Sequence, residues 1–212
     1  MLISHSHKFI FVKTKKTAGS TVESVIVDNF FDKEKDLCTG SVIDGTPRIG
    51  VGTRGPGPDG HKPWNLIMDM VGIDTWSDYH TFTIERNPWE KVASHYFWKL
   101  SSRKSESMSF ESFVEKLLYN GKAPVDWTLY ANDSGLQVDQ VIQYSELADS
   151  LVSLFNDKYN LPMTKDMVTG TRKKSGHRKK HYTEMYTSQR LIDKVSVLYK
   201  KEIEFFNYKF GE

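Results

Sequence analysis

Apolar positions along the chain repeat with two different periods, and the change from one to the other lays out a series of short strands and helices. Phe9-Ile10-Phe11-Val12 is an unbroken β-branched and aromatic run, which predicts a strand buried on both faces. From Ser20 to Phe31 the spacing changes: Val22, Val25, Ile26, Asn29 and Phe30 fall near i, i+3, i+4, i+7 and i+8, and a helix is expected. His80 to Ile84 predicts a second strand, and Pro88, tolerated in a first helical turn, opens a helix to about Leu100. A third strand is expected over Val138 to Gln143, after which Ser145 offers a cap for a helix to about Tyr159. Leu191, Val195, Leu198 and Ile203 mark one face of a last helix, from about Ser188 to Phe206. Strands alternating with helices in this way predict an α/β fold with a central, mainly parallel β-sheet flanked by helices.

Two stretches interrupt the pattern. Residues 39–63 are rich in Gly, Pro and Asp, and residues 164–181 are polar and basic, so both are expected to be long loops. Each is too short to divide a chain of 212 residues, which is therefore expected to form a single domain.

Charge sharpens the second of these stretches. The chain holds 29 Lys and Arg against 27 Asp and Glu, yet six of the basic residues lie in the run RKKSGHRKK between Arg172 and Lys180. Everything outside that run is mildly acidic, which excludes a generally basic surface that coats nucleic acid. The run itself is single, which argues against nucleic acid as a partner. His177 and His181 stand at i, i+4, but the neighbouring positive charges disfavour a cation, and no metal is expected. A lone cysteine, Cys38, cannot form an intramolecular disulfide and suits a reducing compartment. No apolar run reaches the ~18–20 residues that cross a bilayer, and the first residues carry no small-residue cleavage site. A soluble, cytoplasmic protein without a membrane span is expected, with the sequon Asn132-Asp133-Ser134 in a loop.

Ligands of α/β sheets sit at the carboxyl ends of the strands, which singles out the turns after Val12 and after Ile84. The first turn continues Lys13-Thr14-Lys15-Lys16-Thr17-Ala18-Gly19-Ser20-Thr21. Small residues let successive backbone N–H groups face an anion, the helix that follows offers its positive dipole end, and Lys16 adds a charge. This is the physics of a phosphate loop, although GxxxxGK followed by Ser or Thr is absent and the lysine precedes the glycine. The usual magnesium ligand is missing with it. In the second turn Arg86 leaves the strand end as a forked donor suited to phosphate, and Ser94 lies two helical turns further on.

Four segments together resemble the sulfotransferases that use 3′-phosphoadenosine-5′-phosphosulfate (PAPS), in particular their carbohydrate-type branch. They are FIFVKTKKTAGSTVES, GHKPWNLIMDMVGIDTWSDYHTFTIERNPWEKVASHYFW, DQVIQYSELADSL and HYTEMYTSQRLIDKVSVLYKKEIEFFNYKF, in the family's order and over more than half of the chain. The resemblance implies a P-loop-like three-layer fold. It implies that Lys16, Thr17, Ala18, Gly19, Ser20 and Thr21 form the 5′-phosphosulfate loop, with Lys16 at the bridging oxygen of the leaving phosphate, and that Arg86 and Ser94 hold the 3′-phosphate. By position and charge it implies that Arg172, Lys173 and Lys174 close over the nucleotide. His61 matches the family's catalytic base, with Glu85 and His95 as competitors. The expected reaction moves a sulfuryl group from PAPS to a hydroxyl of a small-molecule or glycan acceptor, carbohydrate or glycolipid-like, and leaves adenosine 3′,5′-bisphosphate. Two other function classes stay open: a nucleotide kinase or NTPase with an atypical phosphate loop, and a non-catalytic nucleotide- or anion-binding module. Residues 39–60 and 101–137 have no match in the family and leave the acceptor unnamed.

Overall fold

A computed structural model describes residues 1–32, 34–43, 46–49, 60–102, 108–121, 123–170 and 181–212, with the backbone alone at 39–43, 46–49 and 102. The elements run β1 (Leu2–Ser4), β2 (Phe9–Val12), α1 (Gly19–Phe30), β3 (Leu37–Ile43), β4 (Thr46–Ile49), α2 (Trp64–Val71), α3 (Ile73–Asp78) and β5 (His80–Glu85). They continue α4 (Pro88–Ser102), α5 (Phe110–Asn120), α6 (Trp127–Tyr130), β6 (Ala131–Asn132), β7 (Gly135–Leu136) and β8 (Gln140–Gln143). The last are α7 (Leu147–Ser153), α8 (Lys165–Gly170), α9 (Gln189–Leu198) and α10 (Lys200–Phe206). The chain packs as two compact units, Met1–Glu85 with Thr128–Lys173 and Arg86–Trp127 with Lys174–Glu212.

The first unit is mixed α/β, built on a six-stranded sheet of order β4-β3-β1-β2-β5-β8. β2, β5 and β8 are parallel neighbours, whereas β1 runs against β2 and β3, and β4 runs against β3. Four of the six strands therefore point the same way, and the parallel half carries the strand ends that the sequence singled out. Phe9, Phe11, Phe82, Ile84 and Ile142 share one face, packed with Val22, Val25 and Ile26 of α1 and Leu151 of α7. The alternate residues Ile10, Val12 and Thr83 are equally buried, which is why the β2 run shows no polar alternation.

The loop expected over 39–63 is corrected in part: β3 and β4 form an antiparallel pair there. Glycine and proline content misled because β4 is an edge strand, where Pro47 costs no central ladder bond. The Asp44-Gly45 dipeptide between the two runs was a hairpin signal. Residues 50–59 lie outside the described residues. Ser145 is not a helix cap; it sits in a 3₁₀ turn, Tyr144–Glu146, after which α7 widens into a π turn at Leu154–Lys158. The sequon segment is the tight β6–β7 hairpin, with the Ser134 N–H bonded to Asn132 Oδ1 at 2.8 Å.

In the second unit α4, α5, α9 and α10 surround an apolar cluster that includes Trp89, Phe110, Phe113, Tyr182, Leu191 and Tyr199. The single helix expected from Ser188 to Phe206 breaks at Tyr199, whose backbone (φ −108°, ψ 29°) leaves the helical region while its side chain is wholly buried. Among the described residues no helix is long and apolar enough to cross a membrane.

Candidate functional site

The first candidate turn is fastened at its base by two threonines, Thr14 and Thr17, of which Thr17 was expected to bind the phosphosulfate. Thr14 Oγ1 donates to the Ile84 carbonyl, which joins the ends of the adjacent strands β2 and β5. The Thr17 hydroxyl, fully buried, lies 2.9 Å from the Thr14 hydroxyl and 3.2 Å from the Thr14 carbonyl. Thr17 therefore shapes the loop with its side chain, and what it offers outward is backbone.

That backbone is unusual. Lys16 (φ 62°) and Ala18 (φ 61°) both adopt the left-handed conformation, which costs a non-glycine residue on the order of 1 kcal/mol or more. Left-handed residues inside a tight turn are the means by which successive N–H groups converge on one concave anion site. Ala18 then starts α1 with no side-chain cap and with no acidic residue in the first turn, so the helix's positive end is not neutralised by its own sequence.

Behind the loop lies a buried ion cluster. Lys13 Nζ pairs with Glu23, which also accepts from the α-ammonium group of Met1 at 2.8 Å. Burial alone would raise the Glu23 pKa, but the two cations outweigh it and hold the carboxyl below its ordinary range. Lys13 is thereby committed to structure, while Lys16 sits half-buried in the turn. Gly19 is required by this cluster: a Cβ there would lie 2.8 Å from Lys13 Cγ. Gly19→Ala is accordingly expected to lower stability by roughly 1–3 kcal/mol, because the buried stem it meets is pinned by Glu23. Chemical denaturation checks this, and an unchanged midpoint would show that Lys13 yields freely.

His61 belongs to the same neighbourhood. Its Nδ1 lies 3.0 Å from the Lys13 carbonyl, so Nδ1–H donates and the neutral ring carries its lone pair on Nε2. The preceding Gly60 carbonyl accepts from the Met1 amino group at 3.0 Å, which anchors this segment to the base of the loop. Glu85, at the end of β5, is buried and accepts the Tyr130 hydroxyl at 2.9 Å.

The second candidate turn lies in the second unit, at the start of α4. Asn87 is the cap: its carbonyl accepts from Lys91 N and its Oδ1 from Trp89 N at 3.2 Å, with Pro88 in the first helical position. Arg86, just before the cap, is 8% exposed and places Nη2 2.7 Å from Glu90 Oε1. Ser94 follows Glu90 by one turn on the same face of α4, half-buried. His95, the other competing base, is buried edge-on against Phe113, with ring centroids 5.4 Å apart. Lys91, the residue after Glu90 and so about 100° round the helix, is wholly buried and paired with Asp126 at 2.9 Å. Sequence reasoning missed both Glu90 and this pair, although a Glu four residues after an Arg was a signal available in the text. Arg172, Lys173, Lys174 and His177 lie outside the described residues. Among the described residues, no group of three or more His, Cys, Asp or Glu is placed to hold a metal ion.

At the opposite ends of the parallel strands an open polar cavity of about 580 Å³ is lined by His7, Lys8, Asp78, His80, Asp139 and Tyr159, among others. Its charges are largely satisfied: Lys8 pairs with Asp78 at 2.9 Å, and Thr81 donates twice to Asp139. His80 bonds the Tyr159 hydroxyl at 2.6 Å, and burial, helped by Lys158, lowers its pKa.

No protein-family model matches the chain, and no solved structure matches it. Over 115 residues it is 28% identical to an uncharacterized protein of Archaeoglobus fulgidus, an alignment that covers 54% of this chain and 95% of that protein.

Proposed function

We propose that the chain is a PAPS-dependent sulfotransferase with a P-loop-like fold, acting in the cytoplasm on a hydroxyl of a carbohydrate or glycolipid-like acceptor. The observation that carries this reading is the turn after β2. Two strained left-handed residues, Lys16 and Ala18, precede an uncapped helix start at the carboxyl end of a parallel strand. Strain of this kind persists only where the surroundings enforce it, and an anion site is the use that fits this backbone.

In this reading each residue has one task. Lys16 and the amides of Thr17 to Thr21 would bind the 5′-phosphosulfate and stabilise the charge that grows on the departing phosphate during in-line transfer. Arg86 and Ser94 would bind the 3′-phosphate, Arg86 through its forked N–H donors. The bond that breaks joins sulfur to the bridging oxygen, and the bond that forms joins sulfur to the acceptor oxygen. His61 Nε2 would take the acceptor's proton as that bond forms. Arg172, Lys173 and Lys174 would add charge around the nucleotide. No metal has a task in this scheme.

Thermal denaturation with adenosine 3′,5′-bisphosphate, beside ATP and GTP with magnesium, tests the reading. Selective stabilisation by the bisphosphate is expected, about 2.7 kcal/mol at a hundredfold excess over Kd. Preference for a triphosphate with magnesium would favour a kinase or NTPase. Binding of the bisphosphate without transfer from radiolabelled PAPS to any of a panel of hydroxyl acceptors would favour a non-catalytic module.

A further inference from the structure

Resting on the sulfotransferase reading, we propose that Glu90 is a built-in competitor for the 3′-phosphate: it holds Arg86 in the ligand-free protein and sets how tightly the nucleotide is retained. The geometry lies within one short stretch of the second unit. Arg86, Glu90 and Ser94 succeed one another at four-residue intervals, so Glu90 stands between the two residues assigned to the phosphate. Arg86 Nη2 is 2.7 Å from Glu90 Oε1, and the two side chains are only 9% and 21% exposed. At that exposure the pair is screened less than a surface salt bridge.

A phosphate that engages both Arg86 and Ser94 meets two obstacles here. Of the five guanidinium N–H donors, Glu90 takes one on Nη2, the nitrogen shared by both forked edges, which narrows the ways a phosphate can be captured bidentately. A phosphate dianion would also lie within one helical turn of a carboxylate, a like-charge approach that costs more in a partly dehydrated cleft than in water. Glu90 therefore competes with the phosphate for Arg86, through a shared nitrogen and through like charge. Such competition lowers affinity for every ligand carrying a 3′-phosphate, the spent bisphosphate included. An enzyme whose product keeps the same phosphate as its substrate gains from this, since product release often limits turnover.

Titration calorimetry of adenosine 3′,5′-bisphosphate and adenosine 5′-phosphate against the wild type, Glu90→Gln and Glu90→Ala tests the proposal, with circular dichroism confirming that each variant is folded. Both substitutions are expected to tighten the bisphosphate about tenfold, the effect of removing one like charge at partial burial. The 5′-phosphate Kd should move less than twofold, and the gain should vanish when Arg86→Ala is added. If the wild type binds the bisphosphate but the Glu90 variants bind it equally or more weakly, the competitor role is overturned and the sulfotransferase reading stands. If neither the wild type nor the variants bind it, both are overturned.

Discussion

His61→Ala is expected to slow sulfuryl transfer by about 10²–10⁴-fold, the usual worth of a positioned general base, and to leave the Kd for adenosine 3′,5′-bisphosphate within about twofold. The two parts of this expectation come from the same hydrogen bond. With Nδ1–H given to the Lys13 carbonyl at 3.0 Å, the ring is fixed beside the phosphate loop and its basic nitrogen is Nε2. The protein contact thus orients the base through the nitrogen that catalysis does not need. The alanine variant removes the proton acceptor but keeps the loop, whose left-handed residues and buried threonines are held by other groups. Single-turnover transfer from radiolabelled PAPS to an accepted alcohol, with a parallel binding titration, separates the two effects. Full retained turnover would remove His61 as the base and pass the role to Glu85 or His95. Glu85 is the less suited of these by geometry, because its carboxylate already receives the Tyr130 hydroxyl at 2.9 Å. An equal loss of binding and turnover would instead show that His61 supports the loop.

Where the sequence was legible, one signal dominated. The apolar run Phe9–Val12 and the helical spacing after Gly19 placed β2 and α1 to within a residue, and the parallel pairing of β2 with β5 brought the two strand ends together as expected. Burial on both faces leaves a strand no polar alternation to blur. The antiparallel half of the sheet was harder to read, because β1 has only three residues and β3–β4 are written in glycine and proline. At the site, residue type indicated charge but not allegiance. Lys13 and Lys16 are three positions apart in one motif, yet Lys13 is buried against Glu23, ten residues away, and a one-dimensional pattern has no term for that partner. The same limit explains Thr17, whose hydroxyl turns inward. The units Met1–Glu85 with Thr128–Lys173 and Arg86–Trp127 with Lys174–Glu212 interleave along the chain, so no composition shift marks their boundaries.

A second large effect is expected in a buried pair that touches no proposed ligand: Asp126→Ala should destabilise the protein by about 3–5 kcal/mol. Lys91 Nζ and Asp126 Oδ2 are 2.9 Å apart, and neither side chain has any exposure. Taking two charges out of water costs several kcal/mol each, and their attraction offsets that cost only while both are present. Deleting the carboxylate takes away the charge 2.9 Å from the buried Lys91 ammonium group and leaves the cost of burying that ammonium in place. Replacing both partners by apolar residues of similar size, Lys91→Met with Asp126→Leu, removes the desolvation cost along with the attraction and should recover most of the loss. Urea denaturation of the two variants beside the wild type measures the difference; a loss below about 1 kcal/mol in Asp126→Ala would mean that water reaches Lys91. The pair matters for the site because Lys91 lies on α4, the helix whose first turns carry Glu90 and Ser94 and whose cap follows Arg86. If the pair fixes that helix, the double variant should fold yet bind the bisphosphate more weakly than the wild type, with 5′-phosphate affinity unchanged. Recovery of stability without recovery of 3′-phosphate affinity is the result that would mark Lys91 and Asp126 as positioning residues rather than core filling.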